Sequence, residues 1–191
     1  MTNILIPPGL LDENVELFSA GRMMALHDGQ LKILDELPVE FRAALKAEMY
    51  KSPSIVVALE MAGIMSQTEQ LEKFAECRFG GFDLQADYQN GKFSEAEYHE
   101  CGFRGTCPME GVVCGFFKFN GKVITPLEIE LIKLLATEDT IPVIAEKLLL
   151  SVNTLEIRKK ALFEKMGVFS RARLVTMAFN LHILTPAPWH S

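Results

Sequence analysis

Apolar residues between positions 9 and 76 recur at three- and four-residue steps. Leu10, Leu11, Val15, Leu17 and Phe18 are followed by Met23, Met24 and Leu26, then by Leu31, Ile33, Leu34 and Leu37. That spacing predicts helix. The Leu37-Pro38 step marks a helix boundary, because proline lacks an N–H and crowds the preceding turn. Phe41, Ala44, Leu45, Ala47, Glu48 and Met49 resume the helical period, and Pro53 interrupts it. Residues 55–65 form an apolar helical stretch and residues 68–77 a more polar one. The expectation for residues 1–76 is a helical region of three to five short helices. Its Met and Leu clusters are expected to serve as core rather than as a cofactor pocket.

The pattern changes at residues 77–121. This stretch holds eight of the 13 glycines, all four cysteines, and the aromatics Phe79, Phe82, Tyr88, Phe93, Tyr98, Phe103 and Phe116, followed by Phe117 and Phe119. Regular helix is not expected through most of it. Such a segment buries little surface through ordered elements of its own, so something must hold it together.

Helical periodicity returns from Thr125. Thr125-Pro126-Leu127-Glu128 reads as a capping box with proline at the first helical position. Ile129, Leu131, Ile132, Leu134 and Leu135 follow. A second short helix fits residues 140–148. A third starts after Ser151, a good N-cap, and runs to Met166, with Gly167 as its stop. Ser170 caps a fourth, which carries Leu174, Val175, Ala178, Phe179 and Leu181. Residues 185–191, rich in proline, read as a loose tail. Four helices joined by two to four residues make a unit of about 60 residues, near the lower limit for independent folding.

Charge sharpens this division. The 191 residues carry a net charge of −6. Residues 1–121 hold ten Lys/Arg against 18 Asp/Glu, and residues 122–191 hold nine against seven. Any affinity for a polyanion therefore belongs to the C-terminal third. No apolar run reaches the ~20 residues of a membrane span. The first eight residues, Met1 to Pro8, lack the basic start and apolar stretch of a secretory signal. A cytoplasmic location is expected, where cysteines stay reduced or metal-bound.

The third C-terminal helix suits a nucleic-acid groove. Val152, Leu155, Leu162, Phe163 and Met166 share one face and are expected to pack inward. Asn153, Thr154, Glu156, Ile157, Arg158, Lys159, Lys160 and Glu164 lie on the other faces, and residues 158–160 are the only basic triplet in the chain. Ser151 and Thr154 sit at the helix N-terminus, where free N–H groups favour phosphate. Arg171 and Arg173 open the next helix and are expected to clamp the flanking backbone. Three short helices with a tight turn before the third form a helix-turn-helix, with its third helix in the major groove.

These residues resemble a known family. Ile124-Thr125-Pro126-Leu127-Glu128-Ile129-Glu130, Ile144-Ala145-Glu146-Lys147-Leu148, Ser151-Val152-Asn153-Thr154-Leu155, Phe163-Glu164-Lys165-Met166-Gly167-Val168 and Ser170-Arg171-Ala172 follow in the order of the LuxR/GerE-type helix-turn-helix of bacterial transcription regulators. Region four of sigma factors shares the Ile-Ala and Ser-Val-x-Thr stretches. The Lys-Met-Gly-Val-x-Ser-Arg-Ala join and the fourth helix favour the LuxR type. The resemblance implies a double-stranded DNA reader with base contacts mapping to Glu156, Ile157 and Lys160. It also implies a homodimer through Leu174, Val175, Ala178 and Phe179. The sequence departs from the family at Glu156, where a basic residue is usual, and at Ile141-Pro142, where Asn-Lys is frequent. A glutamate repels phosphate but accepts from cytosine N4, and Ile157 offers a thymine methyl only apolar contact.

The cysteines are spaced Cys77-x23-Cys101-x5-Cys107-x6-Cys114. Clustered thiols in a poorly self-packing segment read first as metal ligands. Four thiolates suit structural zinc or an iron–sulfur cluster, and ligation would supply folding energy. The Cys-x2–4-Cys knuckle of structural zinc is absent. Cys107-Pro108 is similar to the Cys-Pro step of ferredoxin loops, and the irregular spacing loosely resembles the WhiB type without matching it. Zinc is the first choice, iron–sulfur the second, and no metal the third. His99 is a candidate substitute ligand or a surface histidine.

A catalytic cysteine needs a base and an orienting partner, and His27, His99, His182 and His190 show no pattern around one, so no enzyme is expected. The fold class expected is mainly α: helical residues 1–76, a metal-binding-like module at 77–121, the LuxR-type unit at 122–184 and the tail. The function expected is a transcription regulator with a metal site. The alternatives are a metal-stabilised adaptor whose helix-turn-helix binds protein, such as RNA polymerase, and a redox or metal sensor in which the cluster controls DNA affinity. Residues 1–121 match neither a receiver domain nor an autoinducer-binding domain.

Overall fold

The computed structural model describes residues 5–185. The expected tail lies outside these residues except for Thr185, and the reading of the N-terminus rests partly on residues 1–4, which also lie outside. The chain divides into two compact units, Met1–Phe116 and Phe117–Ser191.

The first unit opens with strands rather than helices. β1 (Glu16–Ser19), β2 (Met23–His27) and β3 (Gln30–Ile33) form an antiparallel sheet in that order, with Leu17 opposite Ala25 and Met24 opposite Ile33. The helical expectation before Pro38 is thus corrected. Met, Ala and Leu are strong helix formers, and β2 is buried at four of its five positions. A strand covered on both faces loses the alternation that identifies strands. The local signal was the turn. Asp28 and Gly29 both adopt left-handed backbone, at φ 51° and 70°, as a two-residue hairpin requires.

Beyond a 3-10 turn at Leu34–Glu36, the expected helices appear. They are α1 (Val39–Tyr50), begun by Pro38, α2 (Pro53–Met61), with Pro53 in its first turn, and α3 (Gln67–Phe79). α3 packs on β1 and β2, and α1 packs on α2 and α3. Their buried face is Phe41, Leu45, Met49, Ile55, Leu59, Phe74 and Phe79, which meet Leu17, Met23 and Ala25 of the sheet and Val15 just before it.

The Gly/Cys-rich segment then adds a small hairpin, β4 (Tyr88–Gln89) with β5 (Lys92–Phe93), followed by turns. Up to residue 116 the segment belongs to this first unit, and aromatics anchor it. The Phe93 ring stacks on Phe79 at 5.4 Å and meets Phe41 at 5.4 Å, while Tyr88 sits edge-on to Phe41 at 5.0 Å. Met109 and Val113 enter the same core. The segment therefore buries more surface than its composition suggested.

The second unit holds a hairpin, β6 (Lys118–Phe119) with β7 (Lys122–Val123), and four helices: α4 (Pro126–Leu135), α5 (Ile141–Lys147), α6 (Val152–Met166) and α7 (Arg171–Asn180). Every expected cap is formed. Thr125 Oγ1 accepts from the Glu128 N–H, and Glu128 accepts from the Thr125 N–H at 2.8 Å. Ser151 and Ser170 each accept from the backbone three residues on, and Gly167 ends α6 at φ 65°. Ile129, Ile132, Leu135, Ile144, Leu155, Leu162, Met166, Leu174 and Ala178 are buried. The fold is mainly α, with seven α-helices and three small sheets among the described residues.

Candidate nucleic-acid interface

α6 is held by its own apolar stripe. Leu155, Leu162 and Met166 are buried, whereas Val152 is 46% exposed and Phe163 half-buried, so the inward face is narrower than its spacing suggested. At its far end the Lys165 ammonium donates to Glu128 at 2.6 Å and to the Val123 carbonyl at 2.9 Å. That contact joins α6 to the start of α4 and to β7. The same ammonium and the Thr125 capping bonds keep the Glu128 carboxyl below its ordinary range, against the opposing effect of burial.

The outer surface of α6 carries the expected side chains. Ser151, Asn153, Ile157, Arg158 and Lys160 are exposed; Thr154, Glu156 and Lys159 are half-exposed. Lys159 pairs with Glu156 at 2.6 Å, which neutralises both within the helix. Arg158 and Lys160 have no ion pair among the described residues. Ile157 stands 63% exposed between them and Glu156, an apolar tip on a polar surface. Ser151 and Thr154 share a hydroxyl contact of 2.8 Å at the helix start.

The two arginines of α7 differ. Arg173 is exposed. Arg171 instead donates to the carbonyls of Leu135, Thr137 and Asp139, the last at 3.1 Å. It closes the C-terminal end of α4 and the loop to α5, where carbonyls lack partners within the helix. The expected phosphate clamp is therefore occupied internally at Arg171. The expected dimer face is also divided. Leu174 and Ala178 are fully buried in their own unit, Val175 is half-buried and Phe179 is 42% exposed. Neither a homodimer nor an RNA polymerase partner gains support.

Residues 122–178 match the family model GerE, bacterial regulatory proteins of the luxR family. This segment is a luxR-family domain. It supports a DNA-binding transcription regulator, and it spans the second unit from β7 into α7. No curated protein and no solved structure matches the chain. Among the described residues, no helix is long and apolar enough to cross a membrane.

The cysteine expectation meets a different geometry. Among the described residues, no three Cys, His, Asp or Glu side chains stand close enough to hold a metal ion. Cys77, Cys107 and Cys114 are half-buried thiols and Cys101 is exposed. Burial pushes the Cys77 thiol up to about 12, opposed by Lys73, so at neutral pH it is not a nucleophilic thiolate. His99, read as a candidate substitute ligand or a surface histidine, is 8% exposed, and neither ring nitrogen has a hydrogen-bond partner among the described residues.

The first unit also holds a feature missed in the sequence. The Asp83 N–H donates to Glu16 at 2.6 Å, the Leu17 N–H to Asp87 at 2.7 Å, and the Gly81 N–H to Glu97 at 2.5 Å. Together with Asp83, these carboxylates repel one another inside the protein. Desolvation first, and then that repulsion, pushes Glu16 and Glu97 up to about 8 and Asp87 up to about 10. Their members lie up to 81 positions apart along the chain, so no local pattern announces them.

Proposed function

We propose that the LuxR-type domain reads double-stranded DNA sequence-specifically, with α6 in the major groove, and that the protein regulates transcription through it. One observation carries the reading: Arg158 and Lys160 project from the outer surface of α6 with no ion pair among the described residues, beside an exposed Ile157. Arg158, Lys160 and Arg173 supply phosphate or guanine contacts, and Ser151, Asn153 and Thr154 present the helix start to the backbone. Ile157 packs on a thymine methyl and Glu156 accepts from cytosine N4. Lys159 adds charge once Glu156 turns to a base. Arg171 contributes by fixing the α4–α5 loop, not by touching phosphate.

The test is the salt dependence of duplex binding by the full chain. Replacing Arg158 and Lys160 together with alanine should weaken affinity and reduce the slope of log K against log salt by about one per lost phosphate contact. An unchanged slope would show that this face does not meet DNA.

A further inference from the structure

The C-terminal turn of α3 is wrapped by the loop that carries the other thiols. The Glu97 N–H donates to the Arg78 carbonyl at 3.0 Å, and the Lys73 ammonium lies 6.0 Å from the centre of the Phe103 ring. A Cβ placed on Gly115 would meet the Arg78 guanidinium at 3.5 Å. These three ties bring residues 97, 103 and 115 onto the turn that contains Cys77. Arg104 links the loop to itself: its Nε donates to the His99 carbonyl at 3.2 Å, and its Nη1 lies 4.0 Å from Cys114 Sγ. The Gly111 N–H donates to the same sulfur at 3.4 Å. Cys101 and Cys114 both lie within electrostatic reach of Cys77. The His99 ring rests on the same helical end, because a Cβ on Gly80 would fall 2.7 Å from its Nε2. Cys107 packs against the hydrophobic core as Cys77 does, but unlike Cys101 and Cys114 it is not among the groups whose charge acts on the Cys77 thiol.

We propose that Cys77, Cys101 and Cys114, with the His99 imidazole as fourth donor, bind one zinc-class ion that clips the 97–116 loop to the end of α3. Two buried ring nitrogens without partners are costly unless something satisfies them. An imidazole and three thiolates are a common tetrahedral zinc set. Among the described residues these donors are not gathered into a metal-holding group, so ligation requires Cys101 and Cys114 to move inward. Each cysteine gives up its thiol proton on ligation, so binding releases protons. Lys73 and Arg104, already beside the thiols, offset the negative charge that three thiolates bring.

The experiment uses the full chain purified anaerobically, with elemental analysis, a visible spectrum and titration with Zn2+ or Co2+ alone. The expected result is about one zinc per chain and, with Co2+, tetrahedral thiolate absorption. Cys101→Ser removes an exposed thiol and no packing, and should weaken Zn2+ binding at least about tenfold. Cys107→Ser should leave the affinity unchanged. His99→Asn should weaken it while keeping the far-ultraviolet circular dichroism of the parent. A chain without stoichiometric zinc overturns the proposal. So does iron with visible absorption, or a Cys101→Ser variant of parental affinity. Loss of zinc from Cys107→Ser with retention in His99→Asn overturns the imidazole assignment. None of these readouts involves nucleic acid, so their failure is distinct from failure of the DNA reading.

Discussion

Both units contain the same turn. Asn90-Gly91 closes β4–β5 and Asn120-Gly121 closes β6–β7, each with both residues left-handed and a lysine next. The outcomes differ. Tyr88 and Phe93 of the first hairpin pack into an aromatic core with Phe41 and Phe79. In the second, Lys118, Lys122 and Val123 are exposed. An identical local signal gives a core element in one unit and a surface ribbon in the other. The turn dipeptide decides that the chain reverses, and distant residues decide what the reversal is for.

That contrast extends to the units themselves. In the second, bonds between near neighbours set the helix ends, through caps three residues apart and short loops, and Lys165 and Arg171 reach back more than 30 residues to join the helices. The first depends on pairs far apart in sequence, such as Leu17 with Asp87 and Asp83 with Glu16. The strongest test of this difference is Phe74→Ala, which removes a fully buried ring from the first core. It should cost about 3–5 kcal/mol, read as lost hydrogen-exchange protection in α1 and α3. Retained protection in α4 to α6 is expected, and its loss would break the division into two units.

Next in size is Asp87→Asn. Asp87 is 2% exposed, and an amide oxygen can still accept from the Leu17 N–H. Its folded pKa is raised to about 10 from an ordinary value of 3.8. The stability tied to the protonated acid is thus complete below pH ~4 and is lost as pH rises towards 10. Near pH 4 the variant should match its parent. At pH 8 it should be more stable by an order of 1–3 kcal/mol, measured by denaturant unfolding at both values. Equal stability at pH 8 would mean that folding does not raise the Asp87 pKa.

The smallest effect tests the local side. Thr125→Ala removes the hydroxyl of a capping box and should cost about 1 kcal/mol in α4, seen as a shift in the denaturant midpoint of the second unit. A much larger loss would show that Thr125 also supports Glu128 in its bond to Lys165.

The boundaries of α4 to α7 were legible because hydroxyl caps, Pro126 and Gly167 act within one turn of the chain. The outer surface of α6 was legible from its period, whereas the internal use of Arg171 was not, because its carbonyl partners lie more than 30 residues upstream. The strands β1 to β3 were hidden by helix-forming residues buried on both faces, and the carboxylate cluster had no adjacent members to notice. Short-range geometry therefore determined a four-helix reader with a basic face. Only the folded chain decided that acidic side chains would share an interior, that His99 would lose its water, and that a glycine-rich loop would close on the end of α3. Those outcomes depend on which distant groups compete for one buried volume, and a linear pattern does not carry that information.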